Sequence, residues 1–139
     1  MSLKYFIIAT SLLGLTACQS TTETPMSSKG LALTGTWHIE AIKGQPVIDY
    51  SPAQLIFAEE GKLSGNNSCN SFFGKYTLTE DALTLSPAGS TMKACVDALM
   101  DQEQRVMSAM PKVVSGQISK GKLLLKDTEG DTQLVLSKI

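Results

Sequence analysis

Lys75-Tyr76-Thr77-Leu78-Thr79-Glu80-Asp81-Ala82-Leu83-Thr84-Leu85 carries the clearest structural signal in the chain. Tyr76 and Leu78 alternate with Lys75, Thr77 and Thr79, the period of two that turns one face of a strand to a core and the other to solvent. Glu80-Asp81 reads as a turn, and Leu83 and Leu85 resume the alternation, so the stretch predicts an antiparallel hairpin. The same grammar returns downstream with Ile118, a turn at Lys120-Gly121, then Leu123 and Leu125. Too few positions match for an internal repeat, so the echo reflects shared hairpin chemistry.

Reading outward, Asp127-Thr128-Glu129-Gly130 turns the chain back through Leu134 and Leu136 to close a meander. Upstream, Trp37, Ile39 and Ala41 alternate with His38 and Glu40. The apolar run 54–58 is followed by Glu59-Glu60-Gly61, a turn into 62–65. One segment breaks this rhythm. Residues 97–110 place Leu99, Met100, Val106, Met107 and Met110 on one face of a helix, with Asp97 expected to cap its start and Pro111 to end it. The fold class expected is α+β, mostly β: an antiparallel sheet of about seven or eight strands curled into an open or cracked barrel, with one packed α-helix. The methionines of that helix are expected to fill the core, with a ligand surface as the rival reading.

The start of the chain has a different character. Lys4 supplies a positive charge and the apolar stretch 5–15 is too short for a bilayer, which needs roughly 20 residues, so 1–17 reads as a secretory signal. Leu15-Thr16-Ala17-Cys18 resembles the lipobox of bacterial lipoproteins. That resemblance implies cleavage before Cys18 and acylation of this cysteine, a membrane anchor worth about 0.8 kcal/mol per buried CH2. Gln19 stands where an inner-membrane retention signal would carry Asp, so the implied site is the inner leaflet of the outer membrane, facing the periplasm. Residues 18–30 are rich in Ser and Thr and form a tether, which leaves 31–139 as one domain.

Twelve basic and thirteen acidic side chains, eleven and thirteen once Lys4 is removed, form no basic stripe and argue against a nucleic-acid partner. The single histidine, His38, falls on the expected solvent face of a strand and leaves both a zinc site and a His-dependent triad without their parts. No Gly-x-Ser-x-Gly elbow, Walker loop or dinucleotide fingerprint is present. The expectation is a protein without catalytic residues, metal or cofactor.

The densest polar cluster is 65–76, containing Asn66, Asn67, Ser68, Cys69 and Asn70, followed by Thr91-Met92-Lys93-Ala94-Cys95. The asparagines read as turn formers. Cys69-Asn70, Phe72 or Phe73, Gly74, Tyr76, then Thr91 to Cys95 and Glu103, with Gly35-Thr36-Trp37 ahead of them, resemble the META domain of HslJ-type heat-shock lipoproteins. Ser68, where many members carry Gly, and Lys93, where Arg is common, depart from that pattern. The resemblance implies a non-enzymatic role in envelope stress or maintenance, through contacts with other envelope components. A binding module holding an apolar or lipid ligand in the open barrel is the alternative. A monomer is expected.

With Cys18 acylated, Cys69 and Cys95 remain, and an even count in an exported domain reads as a disulfide. Reduced core thiols and a redox pair are the other readings, the last without a Cys-x-x-Cys arrangement to support it. Glu103 lies between Leu99, Val106, Met107 and Met110, where a carboxylate must be hydrogen-bonded, paired or protonated. Asn70, Tyr76, Thr91 and Lys93 are its expected donors in a buried polar clasp. A catalytic acid is the competing reading, but no second acid or nucleophile is spaced to assist it.

Overall fold

The computed structural model describes residues 30–139. The signal, Cys18 and most of the tether lie outside these residues. Among those described, the strands are β1 (Gly35–Ile42), β2 (Gln45–Pro46), β3 (Gln54–Phe57), β4 (Lys62–Asn66), β5 (Ser71–Thr79), β6 (Ala82–Ser90), β7 (Ser115–Ser119), β8 (Lys122–Lys126) and β9 (Thr132–Lys138). A helix, α1 (Asp97–Ala109), and a 3-10 turn (Met110–Lys112) fall between β6 and β7. The sheet runs β2-β1-β3-β4-β5-β6-β7-β8-β9, and β1 pairs antiparallel with β9, so the hydrogen bonding forms a ring. The ring is not a regular barrel. β6 and β7 pair only at Ala82 and Ser115, and the 3-10 turn that follows α1 packs against β6 beside that seam.

The β5–β6, β7–β8 and β8–β9 hairpins form where the alternation predicts them, and the short β1–β2 hairpin is one that it does not mark. Lys120 and Gly121 both take left-handed φ, 50° and 77°, in the tight turn whose twist matches the flanking strands. Nothing lies within 4 Å of a Cβ at Gly121, so glycine serves conformation there. At Gly74 the reason is contact: a Cβ would sit 2.2 Å from the Ser86 carbonyl oxygen, where the β5–β6 register shifts.

The interior is filled by Trp37, Ile39, Leu55, Phe57, Leu63, Phe72, Leu83, Leu85, Leu123, Leu125, Leu134 and Leu136, all buried. Burying such side chains is worth roughly 1.5–3 kcal/mol each, which explains why alternation alone specifies the strands. The Trp37 indole donates to the Leu33 carbonyl at 2.7 Å, tying the entering chain to the core. In β1 the alternation fails near its end. A register shift between Ile39 and Ala41 turns Ile42 fully inward and leaves Ala41 half-buried, contrary to the simple period.

The helix occupies the expected residues but faces the core differently. Its buried side chains are Gln102, Val106 and Ala109, continued by Met110, while Leu99 and Met107 are half-buried and Met100 is 46% exposed. The expected apolar face is thus rotated so that Met100 and the half-buried Met107 border a surface, while Met110 enters the core as expected. Asp97 is not the cap: Val96 holds that position without a side-chain bond, and Asp97 sits in the first turn, where its charge favours the helix dipole.

Candidate functional site

The site is built on the crossing between β4 and β5. Asn66 Oδ1 accepts the Ser68 N–H at 2.8 Å, and Asn67 Oδ1 accepts the Asn70 N–H at 2.8 Å. These local bonds make a compact loop because asparagine mimics a backbone turn. Ser68 takes a φ of 113°, a region that favours glycine, which gives a physical reason for Gly at this place in the resembling pattern. Cys69 and Cys95 are brought to disulfide distance, with Cα atoms 5.9 Å apart and a sequence separation of 26. The bridge joins this loop to the segment entering α1.

Asn70, 3% exposed, is the hub of the loop. Its Oδ1 accepts from Thr91 Oγ1 at 2.9 Å and from the Lys93 N–H at 2.6 Å. Its Nδ2 donates to both Glu103 oxygens, at 3.0 and 3.3 Å, and lies 3.3 Å from the Lys93 carbonyl oxygen. Asn67 Nδ2 adds a bond to Glu103 Oε1 at 3.1 Å. The half-buried carboxylate is therefore held by two amides. Of the four donors expected for Glu103, Asn70 alone bonds it directly. Thr91 and Lys93 act one step away through Asn70, and Lys93 does so with its main chain while its side chain is exposed. Tyr76 is elsewhere: its hydroxyl donates to the Ala58 carbonyl at 2.8 Å and its ring meets Phe57 edge-on at 5.1 Å. Tyr76 is tied to the β3–β4 connection, away from the β4–β5 loop that holds Glu103.

Beside Glu103 lies a second anchor that hydropathy misses. Gln102, 2% exposed, accepts the Ile48 N–H at 3.0 Å, and its Nε2 donates to Ser68 Oγ at 2.9 Å and to Ser51 Oγ. Both amide hydrogens and the carbonyl are thereby used, which is what lets a glutamine be buried. Ser68 earns its unfavourable backbone here, since glycine would offer no hydroxyl. No periodic pattern marks this network, because its members come from three separate stretches of chain, 48–51, Ser68 and Gln102.

Between α1 and the 90–95 segment, the same framework opens a cleft of about 480 Å3. Its walls carry Met92, Ala94, Met100 and Met107, with Asn70 and Glu103 among its polar groups. Met92 is 97% exposed. Three of the methionines thus converge on a surface, and the polar clasp forms part of its wall. His38 is half-buried on β1, and among the described residues no three of His, Cys, Asp and Glu converge as a metal site would require.

The chain matches the META domain over residues 30–138. The protein belongs to the META domain family. Two solved structures share the fold. An NMR structure of a protein from Burkholderia xenovorans is 21% identical, superposes with a TM-score of 0.63, and is matched over 77% of this chain and 83% of that one. A second NMR structure is also 21% identical, with a TM-score of 0.59 over 76% of this chain and 90% of the other. No curated protein matches. The META domain of this chain is thus a ring-like sheet whose helix is locked by Gln102 and Glu103.

Proposed function

We propose that this protein is a non-enzymatic lipoprotein of the bacterial envelope, anchored through Cys18, that serves envelope maintenance or stress response by gripping other envelope components in the methionine cleft. The observation that carries this reading is the placement of Met92, Met100 and Met107 around one open cleft, with Met92 almost wholly in solvent. Unbranched, polarizable methionine side chains adapt to varied apolar partners, the use they find at promiscuous binding surfaces. The cleft's one carboxylate, Glu103, is engaged by Asn67 and Asn70, which supports a binding role over acid–base chemistry.

A small apolar ligand is the second reading, favoured by the cleft volume of about 480 Å3, which falls within the roughly 300–1,000 Å3 of ligand pockets. The barrel interior gives less support to that reading, being filled by leucine, isoleucine and phenylalanine side chains. Native mass spectrometry after gentle extraction tests both. A protein-sized mass lost on Met100→Asp supports the first, and a bound lipid-sized mass gives the second. For the anchor, Cys18→Ala should release the chain from the membrane fraction, and retention would refute it.

A further inference from the structure

One wall of the methionine cleft is main chain that uses only one of its two sides. Residues 90–94 form that wall, and α1 forms the other through Met100, Glu103, Gln104 and Met107. The Thr91 N–H donates to the Ser71 carbonyl at 2.9 Å, and the Lys93 N–H donates to Asn70 Oδ1 at 2.6 Å. The Lys93 carbonyl oxygen lies 3.3 Å from Asn70 Nδ2 on that same side. Bonds from residues 91 and 93 to one side mark an extended run, in which successive residues direct their N–H and C=O groups to opposite sides. Ser90 and Met92 therefore turn theirs away from β5 and the Asn70 loop, and both residues border the cleft.

The rest of β6 agrees that this side is an open edge. β6 pairs with β7 only at Ala82 and Ser115. The Leu83 N–H leaves β5 to reach the Val114 carbonyl at 3.0 Å, so by alternation Pro87, which has no N–H, stands where an amide would face the unpaired edge. Charge adds a direction. The ion pairs among the described residues are Lys62–Glu60 and Lys122–Glu40, so Lys93, exposed on the cleft wall, is unpaired. An acidic group on an incoming strand would complement it. A second copy of this chain would instead bring another Lys93 to the edge, the kind of charge that discourages sheets from pairing with themselves.

We propose that the partner of this cleft is an extended peptide segment that adds as a strand to the Ser90–Met92 edge, sets alternate apolar side chains against Met92, Met100 and Met107, and offers a carboxylate to Lys93. The proposal rests on the cleft being the working surface and names the chemistry of what it grips. Main-chain bonds to the edge supply affinity, and the side-chain pockets between edge and helix supply selectivity.

The test uses the acylated full-length chain, labelled with 15N, in nonionic detergent micelles. In the free protein, amide exchange should be slower at Thr91 and Lys93 than at Ser90 and Met92; no such alternation overturns the edge. The protein is then titrated with a short synthetic peptide that alternates leucine with threonine and ends in aspartate, and exchange at Ser90 and Met92 should slow on saturation. Two further peptides are N-methylated at one central leucine or at the threonine beside it. Only one of those amides faces the edge, so one peptide should bind about tenfold or more weaker and the other like the parent. Met92→Pro removes an edge N–H and should weaken the parent peptide by a similar factor, whereas Met92→Ala keeps that N–H and should lose less; the unliganded spectra verify that both variants are folded. Equal binding by all three peptides overturns strand addition and leaves the cleft as a side-chain grip. Absence of binding by the parent overturns the peptide partner, and crosslinking from the cleft in cells then judges the working surface separately. Protection that appears with protein concentration alone assigns the edge to a second copy and overturns the proposal.

Discussion

Replacing Gln102 by Leu should destabilise the domain, although hydropathy alone ranks it as an improvement on a helix facing a core. The side chain is 2% exposed and makes three hydrogen bonds. Leucine leaves the Ile48 N–H without its acceptor, at roughly 1–3 kcal/mol, and removes two bonds to the serine hydroxyls at about 1 kcal/mol each. Ser51 and Ser68 retain partial partners in each other and in the Ala53 N–H, which limits that second loss. Against this stands about 1.5–2 kcal/mol gained from the extra apolar burial. The net cost is about 1–3 kcal/mol. At about 4–8 °C per kcal/mol for a domain near 100 residues, the melting temperature should fall by at least about 4 °C. Met100→Ala is the matched control. Its side chain is 46% exposed, so the change should stay within about 0.5 kcal/mol. Thermal unfolding of the two variants decides the matter. A Gln102→Leu protein as stable as wild type, or a Met100→Ala protein that loses more, would refute the assignment of the inward face.

Three further outcomes follow from the same contacts. Glu103→Gln keeps an oxygen for Asn67 or Asn70 and should cost about 1 kcal/mol, whereas Glu103→Leu leaves an N–H of Asn67 and one of Asn70 without the Glu103 acceptor and should cost about 2–3 kcal/mol; equal melting temperatures for the three proteins would remove the clasp. Cys69→Ser/Cys95→Ser opens a loop with a separation of 26. It should lose about 3.5 kcal/mol in the chain-entropy account, and chemical denaturation under oxidising conditions measures it. The hydrogen bond from Lys122 at 2.5 Å, then one from Ser137, holds Glu40 below the usual carboxylate range. The stability this contributes is present above the usual glutamate value of about 4.3 and is lost as pH falls through the lowered folded value. Both side chains are more than a third exposed, so the contribution is at most about 1 kcal/mol. Lys122→Ala should flatten that part of the acid limb, and an unchanged limb would contradict the pairing.

The strands were legible because their signal is local. Tyr76, Leu78, Leu83 and Leu85 alternate within one hairpin, and the turn residues lie between them. The face of α1 was not legible, since Gln102 is buried only by virtue of Ser51, Ser68 and the Ile48 N–H, which come from remote stretches of chain. Ranked by hydropathy, Met100 belongs inside and Gln102 outside; satisfied hydrogen bonds reverse the order. Glu103 was recognisable as a carboxylate needing partners, and Asn70 as one of them. Asn67 was read only as a turn former, yet it serves the turn with its oxygen and Glu103 with its nitrogen. The inward turn of Ile42 depends on a bulge, which leaves no mark in periodicity. The partner of Arg105 escaped for a similar reason: its guanidinium meets the Ile42 carbonyl across 63 residues of sequence.

The central claim is that the methionine cleft is the working surface of an envelope protein. Photo-crosslinking in intact cells tests it most directly, with a photoreactive residue at Met92 or Met100 in the cleft and, as a control, at exposed Thr77 on β5. The account predicts discrete crosslinked envelope proteins from both cleft positions and none from Thr77. Identical products from all three positions, or none from the cleft, would contradict it.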